Sequence, residues 1–246
     1  MTEDQIARKI AVIFVTDVVS FSTLMEKNEN STLISLRACR QIMNQLFKKY
    51  DARIFNTAGD SVLAEFQSAV SAVICAAEFQ KMISKRNLSV SEDLQMQFRV
   101  GLNVGDVIAE GTNLYGEGVN NAARLEALSQ AGGVSLSKSI YDFANKKVEF
   151  DFTDLGTQKI KNTVLHAYDL IIAGLEPRIL GSSIESSEIT ESKPPTIAVM
   201  PFKNMTNDEE QEYFVDGVTE DIIANLSSWK SFPVIARNST FSFKGQ

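Results

Sequence analysis

The apolar positions of residues 1–173 follow two different periods. A short, β-branched run over residues 9–16 (KIAVIFVT) predicts a buried strand that ends at Asp17. Apolar residues three and four positions apart predict amphipathic helices over 31–50 and 68–82. The chain therefore begins as a strand followed by helices, not as a repeat of one element.

Strand signals lie on both sides of the second of these helices. Residues 52–66 hold two short apolar segments around a Gly-Asp dipeptide at 59–60, the pattern of a tight β-hairpin. Residues 95–111 alternate apolar and polar side chains with an interruption at Gly105, which predicts two more strands. A helix is expected over 115–128. With a strand, a short helix and two closing strands after it, the order β-α-α-β-β-α-β-β-α-β-α-β-β indicates the α+β class.

The pattern changes beyond residue 173. Residues 174–195 are rich in Ser and Glu and show neither period, which predicts a solvated linker. Residues 196–246 return to a strand-helix-strand pattern, which predicts a β-α-β module too short to build a large core of its own. We therefore expect one domain over residues 1–173, a linker and a short C-terminal module.

The charge balance argues against two classes of partner. The chain has 24 Lys plus Arg against 31 Asp plus Glu, a formal net charge of −7, which disfavours non-specific binding to nucleic acid or to anionic membranes. An anionic substrate would need a local positive site. No apolar run reaches the roughly 20 residues of a membrane span and the start MTEDQIARK is not signal-like, so we expect a cytoplasmic protein without a membrane span.

The scarcity of histidine and cysteine limits the available chemistry. The chain has one histidine, His166, which argues against Ser/His/Asp triads, zinc sites with several histidines and haem. Cys39 and Cys75 lie within apolar helical patterns and are predicted to be reduced core thiols. Catalysis, if present, should depend on carboxylates.

Two aspartates occupy positions that suit a metal site. Asp17 directly follows a core strand and Asp60 lies in the hairpin turn, so the two carboxylates meet if the hairpin pairs with that strand. Such a pair suits Mg²⁺ or Mn²⁺, although both residues could equally be ordinary turn aspartates. After Asp17, backbone N–H groups from Val19 to Ser22 could hold a phosphate, or Ser20 or Ser22 could simply cap a helix.

A second polar pair lies further along the chain. Asn120 and Arg124 are four residues apart in YGEGVNNAARLE and share one face of a predicted helix. An amide and a guanidinium there could orient a sugar and bind a phosphate. The alternative is a solvated helix face on which Arg124 pairs with Glu117 or Glu126.

Four segments together resemble a known family. FVTDVVSFSTLM, NTAGDSVLAEF, FRVGLNVGDVI and NLYGEGVNNAARLEAL occur in the order and at the spacing of class III nucleotidyl cyclase catalytic domains, over about residues 8 to 173. The resemblance implies a ferredoxin-like α+β fold with a central, mostly antiparallel sheet. It also implies conversion of a nucleoside triphosphate into a 3′,5′-cyclic nucleotide and pyrophosphate.

The same resemblance assigns roles to the candidate residues. Asp17 and Asp60, with the Val18 carbonyl, would hold two divalent ions, and the backbone of Ser20, Phe21 and Ser22 would lie beside the triphosphate. Asn120 would orient the ribose and Arg124 would stabilise charge at the α-phosphate, both on a nucleotide whose metals belong to the other protomer. A head-to-tail homodimer with two equivalent shared sites is therefore expected.

The terminal phosphates and the base are less clearly assigned. The counterpart of a phosphate-binding lysine of animal members is His166, with Lys159 and Lys161 nearby, unless His166 is only a surface residue of an edge strand. Asn56 and Asn113 stand where adenylate cyclases have Lys and Asp or Thr, and where guanylate cyclases have Glu and Cys. An amide both donates and accepts hydrogen bonds, so the base stays undetermined.

Three functions follow from these residues. Adenylate cyclase activity is the main expectation, and a uridylate or cytidylate cyclase of a bacterial anti-phage signalling system is the principal alternative because of the two asparagines. Ser20 and Ser61 stand where members of this family commonly have glycine, and their side chains slightly narrow the space around the metals and the nucleotide. A catalytically silent nucleotide-sensing or dimerisation module is the alternative from a different class.

Residues 196–246 resemble the TolB-amino-terminal-like segment that follows the catalytic domain in many bacterial cyclases.

Overall fold

A computed structural model describes residues 7–176, 178, 197–202, 209–228 and 235. The chain divides into two compact units, Met1–Arg178 and Ile179–Gln246. Each is considered by itself.

The first unit is built on one sheet of eight strands in the described residues. The strands are β1 (Ala7–Val18), β2 (Arg53–Ala58), β3 (Ser61–Phe66), β4 (Phe98–Glu110), β5 (Asn113–Tyr115), β6 (Val134–Ser137), β7 (Asp151–Ile160) and β8 (Thr163–Ile171). They run in the order β2-β3-β1-β4-β6-β8-β7, with β5 paired to β4. Every pairing is antiparallel except β4 with β6. The expected α+β class and mostly antiparallel sheet are confirmed.

Among the described residues of this unit, five α-helices connect the strands in the predicted order. A 3-10 turn at Glu92–Leu94 lies before β4. The helices are α1 (Phe21–Lys27), α2 (Glu29–Lys49), α3 (Ala69–Asn87), α4 (Glu117–Leu128) and α5 (Lys138–Ala144).

One expectation about the strands is wrong. Gly105 does not divide residues 95–111 into two strands, because β4 continues through it and pairs with β1 along the whole length of that strand. The missing side chain of Gly105 instead makes room for α4, since a Cβ there would lie 3.2 Å from the Cα of Gly118. The second strand of the pair is β5, so α4 begins at Glu117 and not at residue 115.

The two faces of the sheet bury different cores, because alternate residues of β1 point to opposite sides. On one face, the aromatic rings of Phe14, Phe47 and Phe66 pack together at centroid distances of 5.2 to 5.7 Å. The larger core on this face includes residues of α2, α3 and α5. Cys39 and Cys75 lie within it as free, fully buried thiols, and burial raises the pKa of Cys75 to about 12.

Helix α4 packs against the other face over a smaller core, formed by Ala11, Ile13, Val15, Phe55, Val107, Leu114, Val119 and Ala122. Gly101 of β4 allows this close approach, because a Cβ there would lie 2.2 Å from the carbonyl oxygen of Ala122. The axis of α4 is therefore fixed directly over β4. This packing determines where the polar side chains of α4 point.

The second unit is described over a shorter part of its length. Helix α6 (Glu209–Ser228) confirms the helix that the sequence predicts there. The N–H of Ile235 donates a hydrogen bond of 2.9 Å to the carbonyl of Ile197. Most of the predicted linker and of the two flanking strands lies outside the described residues. None of the described helices of the chain is both long and apolar enough to span a bilayer.

Candidate active site

Asp17 and Asp60 lie together at one end of the sheet. Strand β3 pairs with β1 so that Thr16 faces Val62, which brings the β2–β3 turn beside the end of β1. Gly59 has a φ of 59°, a conformation that glycine adopts without strain, and this turn directs Asp60 towards β1. The backbone N–H of Val18 then donates a hydrogen bond of 3.1 Å to Oδ2 of Asp60. The sequence-based expectation that the carboxylates meet is therefore matched by the geometry.

The electrostatics of the pair favour a cation. Burial, a hydrogen bond with the Asp17 side chain and the negative charge of that neighbour together raise the pKa of Asp60 to about 7. Two carboxylates that share a site in this way repel each other when both are ionised. A divalent ion bound between them would remove that cost.

Ser61 and Arg99 complete the surroundings of Asp17. The Ser61 hydroxyl donates a hydrogen bond of 2.8 Å to Oδ1 of Asp17. Arg99 faces Asp17 across the β1–β4 pairing, with its Nη2 3.7 Å from Oδ2 of Asp17. The Nε of Arg99 donates a shorter bond of 2.8 Å to Oε1 of Glu126 on α4. Arg99 thus lies between a carboxylate of β1 and one of α4.

Glu126 is a buried acid that the sequence did not assign to this end of the sheet. Burial is the main cause that raises its pKa to about 7; the negative charges of Asp17 and Asp60 contribute to this rise, and the Arg99 guanidinium opposes it. The sequence offered Glu117 or Glu126 as a partner for Arg124. The structure instead pairs Arg124 with Asn121, whose Oδ1 accepts a bond of 2.7 Å from Nη1. The packing of α4 on β4, which brings Glu126 to Arg99, leaves no local signal in the sequence.

The donor set at this end of the sheet is small. The part of the chain that the structure describes contains no group of three or more His, Cys, Asp or Glu side chains that could hold a metal ion. Asp17 and Asp60 are the two carboxylates that meet here, and the backbone of Val18 lies between them in the chain and in space. A hard cation bound to this pair would therefore take its other oxygen ligands from a substrate or from water.

The segment after β1 leads directly into α1. Ser20 adopts a left-handed conformation with φ 55° and ψ 36°, and its side chain makes no capping hydrogen bond. The alternative that the Ser20 hydroxyl caps this helix is thus not supported. Phe21 packs against the larger core while Ser20 and Ser22 are exposed. The first N–H groups of a helix have no acceptor within the helix.

Asn120 and Arg124 form a separate group on α4. Asn120 is exposed and makes no side-chain hydrogen bond within the described residues, and Arg124 is half-buried beside Asn121. Over the same described ranges, no hydrogen bond or ion pair joins either residue to Asp17 or Asp60. Within the described residues, one chain therefore carries two polar groups that no hydrogen bond or ion pair joins to each other.

Asn56 and Asn113 lie on neighbouring parts of the molecule. Asn56 is exposed on β2 at a register irregularity, and Asn113 is the first residue of β5. The two strands contact each other, and the Arg53 guanidinium of β2 donates a bond of 2.5 Å to the carbonyl of Thr112 just before β5. The fold therefore places Asn56 and Asn113 on two strands that contact each other.

His166 is a strand residue with an acidic partner. Its Nε2 lies 2.7 Å from Oδ1 of Asp154 on the neighbouring strand, and its ring stacks on Tyr168 at 5.1 Å. It lines a cavity of about 450 Å³ together with Glu117, Asn121 and Lys138. Lys159 and Lys161 lie at the tip of the β7–β8 hairpin. The cavity places His166 on the α4 side of the molecule and away from Asp17.

The comparisons with known proteins agree with this fold. The family model described as the adenylate and guanylate cyclase catalytic domain matches residues 2–171. A protein of Rhizobium meliloti (strain 1021), named "Putative adenylate cyclase 3", is 40% identical over 253 residues, which cover 100% of this chain and 42% of that protein. The chain thus spans less than half the length of this relative.

Solved structures show the same architecture. An adenylate/guanylate cyclase/hydrolase from Silicibacter pomeroyi superposes with a TM-score of 0.63 and 32% identity, covering 67% of this chain and 98% of that one. The adenylyl cyclase CyaB of P. aeruginosa superposes with a TM-score of 0.59 and 23% identity, over 72% of this chain and 100% of that one. The second likeness concerns the fold alone.

Proposed function

The chain belongs to the adenylate and guanylate cyclase catalytic domain family, and from this premise we propose that it is an active class III nucleotidyl cyclase. It would convert a nucleoside triphosphate into a 3′,5′-cyclic nucleotide and pyrophosphate. The observation that carries the proposal is the preformed pair of Asp17 and Asp60, which the β1–β3 pairing and the bond from the Val18 N–H to Asp60 hold at one end of the sheet.

The residues at this end of the sheet fit two divalent ions. Asp17, Asp60 and the carbonyl of Val18 would hold Mg²⁺ or Mn²⁺, because hard cations prefer carboxylate and carbonyl oxygens. When bound, such ions would activate the ribose 3′-hydroxyl and neutralise charge on the phosphates. The backbone N–H groups around Ser20, Phe21 and Ser22 would bind phosphate oxygens beside them.

The remaining groups would act from a second copy of the chain. Asn120 is exposed without a side-chain partner in the described residues, and no hydrogen bond joins it to Asp17 there. In a head-to-tail homodimer with two equivalent sites, Asn120 would orient the ribose. Arg124 would exchange its bond to Asn121 for the α-phosphate, and His166 would bind a terminal phosphate.

The proposed substrate is ATP. The relative at 40% identity is named as an adenylate cyclase, which supports this choice. A pyrimidine nucleotide of an anti-phage signalling system is the second candidate, favoured by the uncharged amides of Asn56 and Asn113 on contacting strands. Nucleoside triphosphates lie inside the cell, so either reaction calls for a cytoplasmic location. Residues 196–246 are proposed as a TolB-amino-terminal-like module joined by the linker 174–195.

The test is a product assay with four substrates. The purified chain is incubated with Mn²⁺ and each of ATP, GTP, CTP and UTP, and products are identified by mass spectrometry. Cyclic AMP is expected. Cyclic UMP or cyclic CMP alone would replace the adenylate assignment with the pyrimidine one. No cyclic product from any nucleotide, at a protein concentration that supports dimers, would leave the silent module as the function.

A further inference from the structure

We propose that Ser61 is a positioning residue for the metal-binding carboxylate of Asp17, an inference that rests on the proposed two-metal function. Ser61 is the first residue of β3 and directly follows Asp60. Its half-buried hydroxyl donates a hydrogen bond of 2.8 Å to Oδ1 of Asp17. The hairpin pattern in the sequence does not by itself predict that Ser61 positions Asp17.

The contact belongs to a reciprocal arrangement between two strands. The backbone N–H of Val18, which follows Asp17, donates to Oδ2 of Asp60 at 3.1 Å, while Ser61, which follows Asp60, donates to Asp17. Each carboxylate is therefore held by a donor from the residue after the other carboxylate. The two bonds fix the distance and the rotation of one carboxylate relative to the other.

Ser61 differs from the other group beside Asp17 in charge and in distance. The nearest nitrogen of Arg99 is 3.7 Å from Oδ2, beyond hydrogen-bond range, and the guanidinium makes its shorter bond with Glu126. A guanidinium would also repel a metal cation bound to Asp17. A serine hydroxyl carries no charge, so it can keep its bond when the cation is present.

The hydroxyl leaves the carboxylate free to bind metal. A carboxylate has about four lone-pair sites, and the Ser61 bond occupies one of them on Oδ1. A carboxylate that is already oriented loses less conformational freedom on binding a metal. Outer partners of this kind typically change metal affinity or activity by about 10- to 100-fold.

The experiment compares the affinity for Mn²⁺ with and without the hydroxyl. Ser61→Ala and Ser61→Gly remove it, and Ser61→Thr retains it. Ser89→Ala is the matched control, because within the described residues the exposed Ser89 hydroxyl bonds to the nearby carbonyl of Arg86 and not to the carboxylate pair. Free Mn²⁺ is titrated with the full chain by electron paramagnetic resonance, without nucleotide. The Mn²⁺ concentration for half-maximal activity, kcat at saturating Mn²⁺ and the melting temperature are measured in parallel.

The expected result is about tenfold weaker Mn²⁺ binding in Ser61→Ala and Ser61→Gly, with kcat at saturating Mn²⁺ close to that of the wild type. Ser61→Thr and Ser89→Ala should bind as the wild type does. Unchanged Mn²⁺ affinity in the folded hydroxyl-less variants would overturn the inference, as would a loss of kcat or of stability with no shift in metal binding. A wild type that binds Mn²⁺ but makes no cyclic product would instead refute the proposed function, so the two failures are distinguishable.

Discussion

The two polar regions of the first unit differ in how completely one chain builds them. Around Asp17 and Asp60, side chains and backbone are joined by Ser61, by the Val18 N–H and by Arg99. On α4, Asn120 is exposed without a side-chain partner in the described ranges, and Arg124 binds a neighbour on its own helix. The first region is ordered before any ligand arrives, whereas the second presents its donors to something outside the chain.

This difference indicates that the two regions are suited to different roles. A preformed carboxylate pair is suited to hold cations, and a rigid helix with a free amide and a guanidinium is suited to contact a substrate held elsewhere. The close packing of α4 on Gly101 fixes the position of the helix without using its outward donors. Substitutions in the two regions should therefore have different signatures, which the following predictions separate.

The largest effect is expected in the carboxylate region. Asp60→Asn removes the proposed metal ligand while keeping the shape of the side chain, so turnover should fall by more than about 100-fold, since loss of even an outer partner of a ligand costs about 10- to 100-fold. Mn²⁺ binding should be weakened together with activity. Mn²⁺ titration, product formation and the melting temperature measure the three effects. If Asp60 were only a turn residue, the variant would keep most of its activity.

A comparable loss without a metal effect is expected on α4. Arg124→Ala removes the donor that we propose for the charge developing in the reaction, and loss of such a donor typically costs about 10²- to 10³-fold in kcat. Its Mn²⁺ affinity in the absence of nucleotide should equal that of the wild type, because Arg124 has no bond to Asp17 or Asp60. Weakened Mn²⁺ binding in this variant would show that the two regions are not separate.

The smallest effect concerns the stability of the metal-free chain as a function of pH. Burial raises the pKa of Glu126 to about 7, above its value in the unfolded chain, so the folded state favours the protonated acid. The stability that Glu126 contributes is present at pH 4 and is lost as the pH rises through 7. Glu126→Gln stays neutral and still accepts a bond from Arg99, so its melting temperature should rise relative to the wild type over this range. The difference in melting temperature between Glu126→Gln and the wild type is measured at pH 4 and at pH 8. An equal difference at the two pH values would contradict the predicted role of Glu126.

Local patterns were sufficient to predict much of the fold and one of its polar regions. The strand over residues 9–16 and the hairpin around the Gly-Asp turn each follow from short-range signals, and together they place Asp17 beside Asp60. The order of strands and helices could be predicted for the same reason. The resemblance to a family added roles for Asn120 and Arg124, which the spacing alone left open.

Other features depend on contacts between distant segments. The continuity of β4 through Gly105 depends on pairing with the whole of β1, and the Arg99–Glu126 contact depends on how α4 crosses β4. The bond from Ser61 to Asp17 joins residues 44 positions apart. Such contacts are set by register and packing, which a hydrophobic period does not encode.

The central claim, that each site combines the carboxylates of one chain with the α4 side chains of another, is tested most directly by mixing inactive variants. Asp17→Ala and Arg124→Ala are each assayed alone, then unfolded together, refolded and assayed for cyclic product. With random pairing, about half of the dimers are mixed and each holds one intact site, so activity should return to about a quarter of the wild-type value. A mixture no more active than its separate components would contradict the shared site.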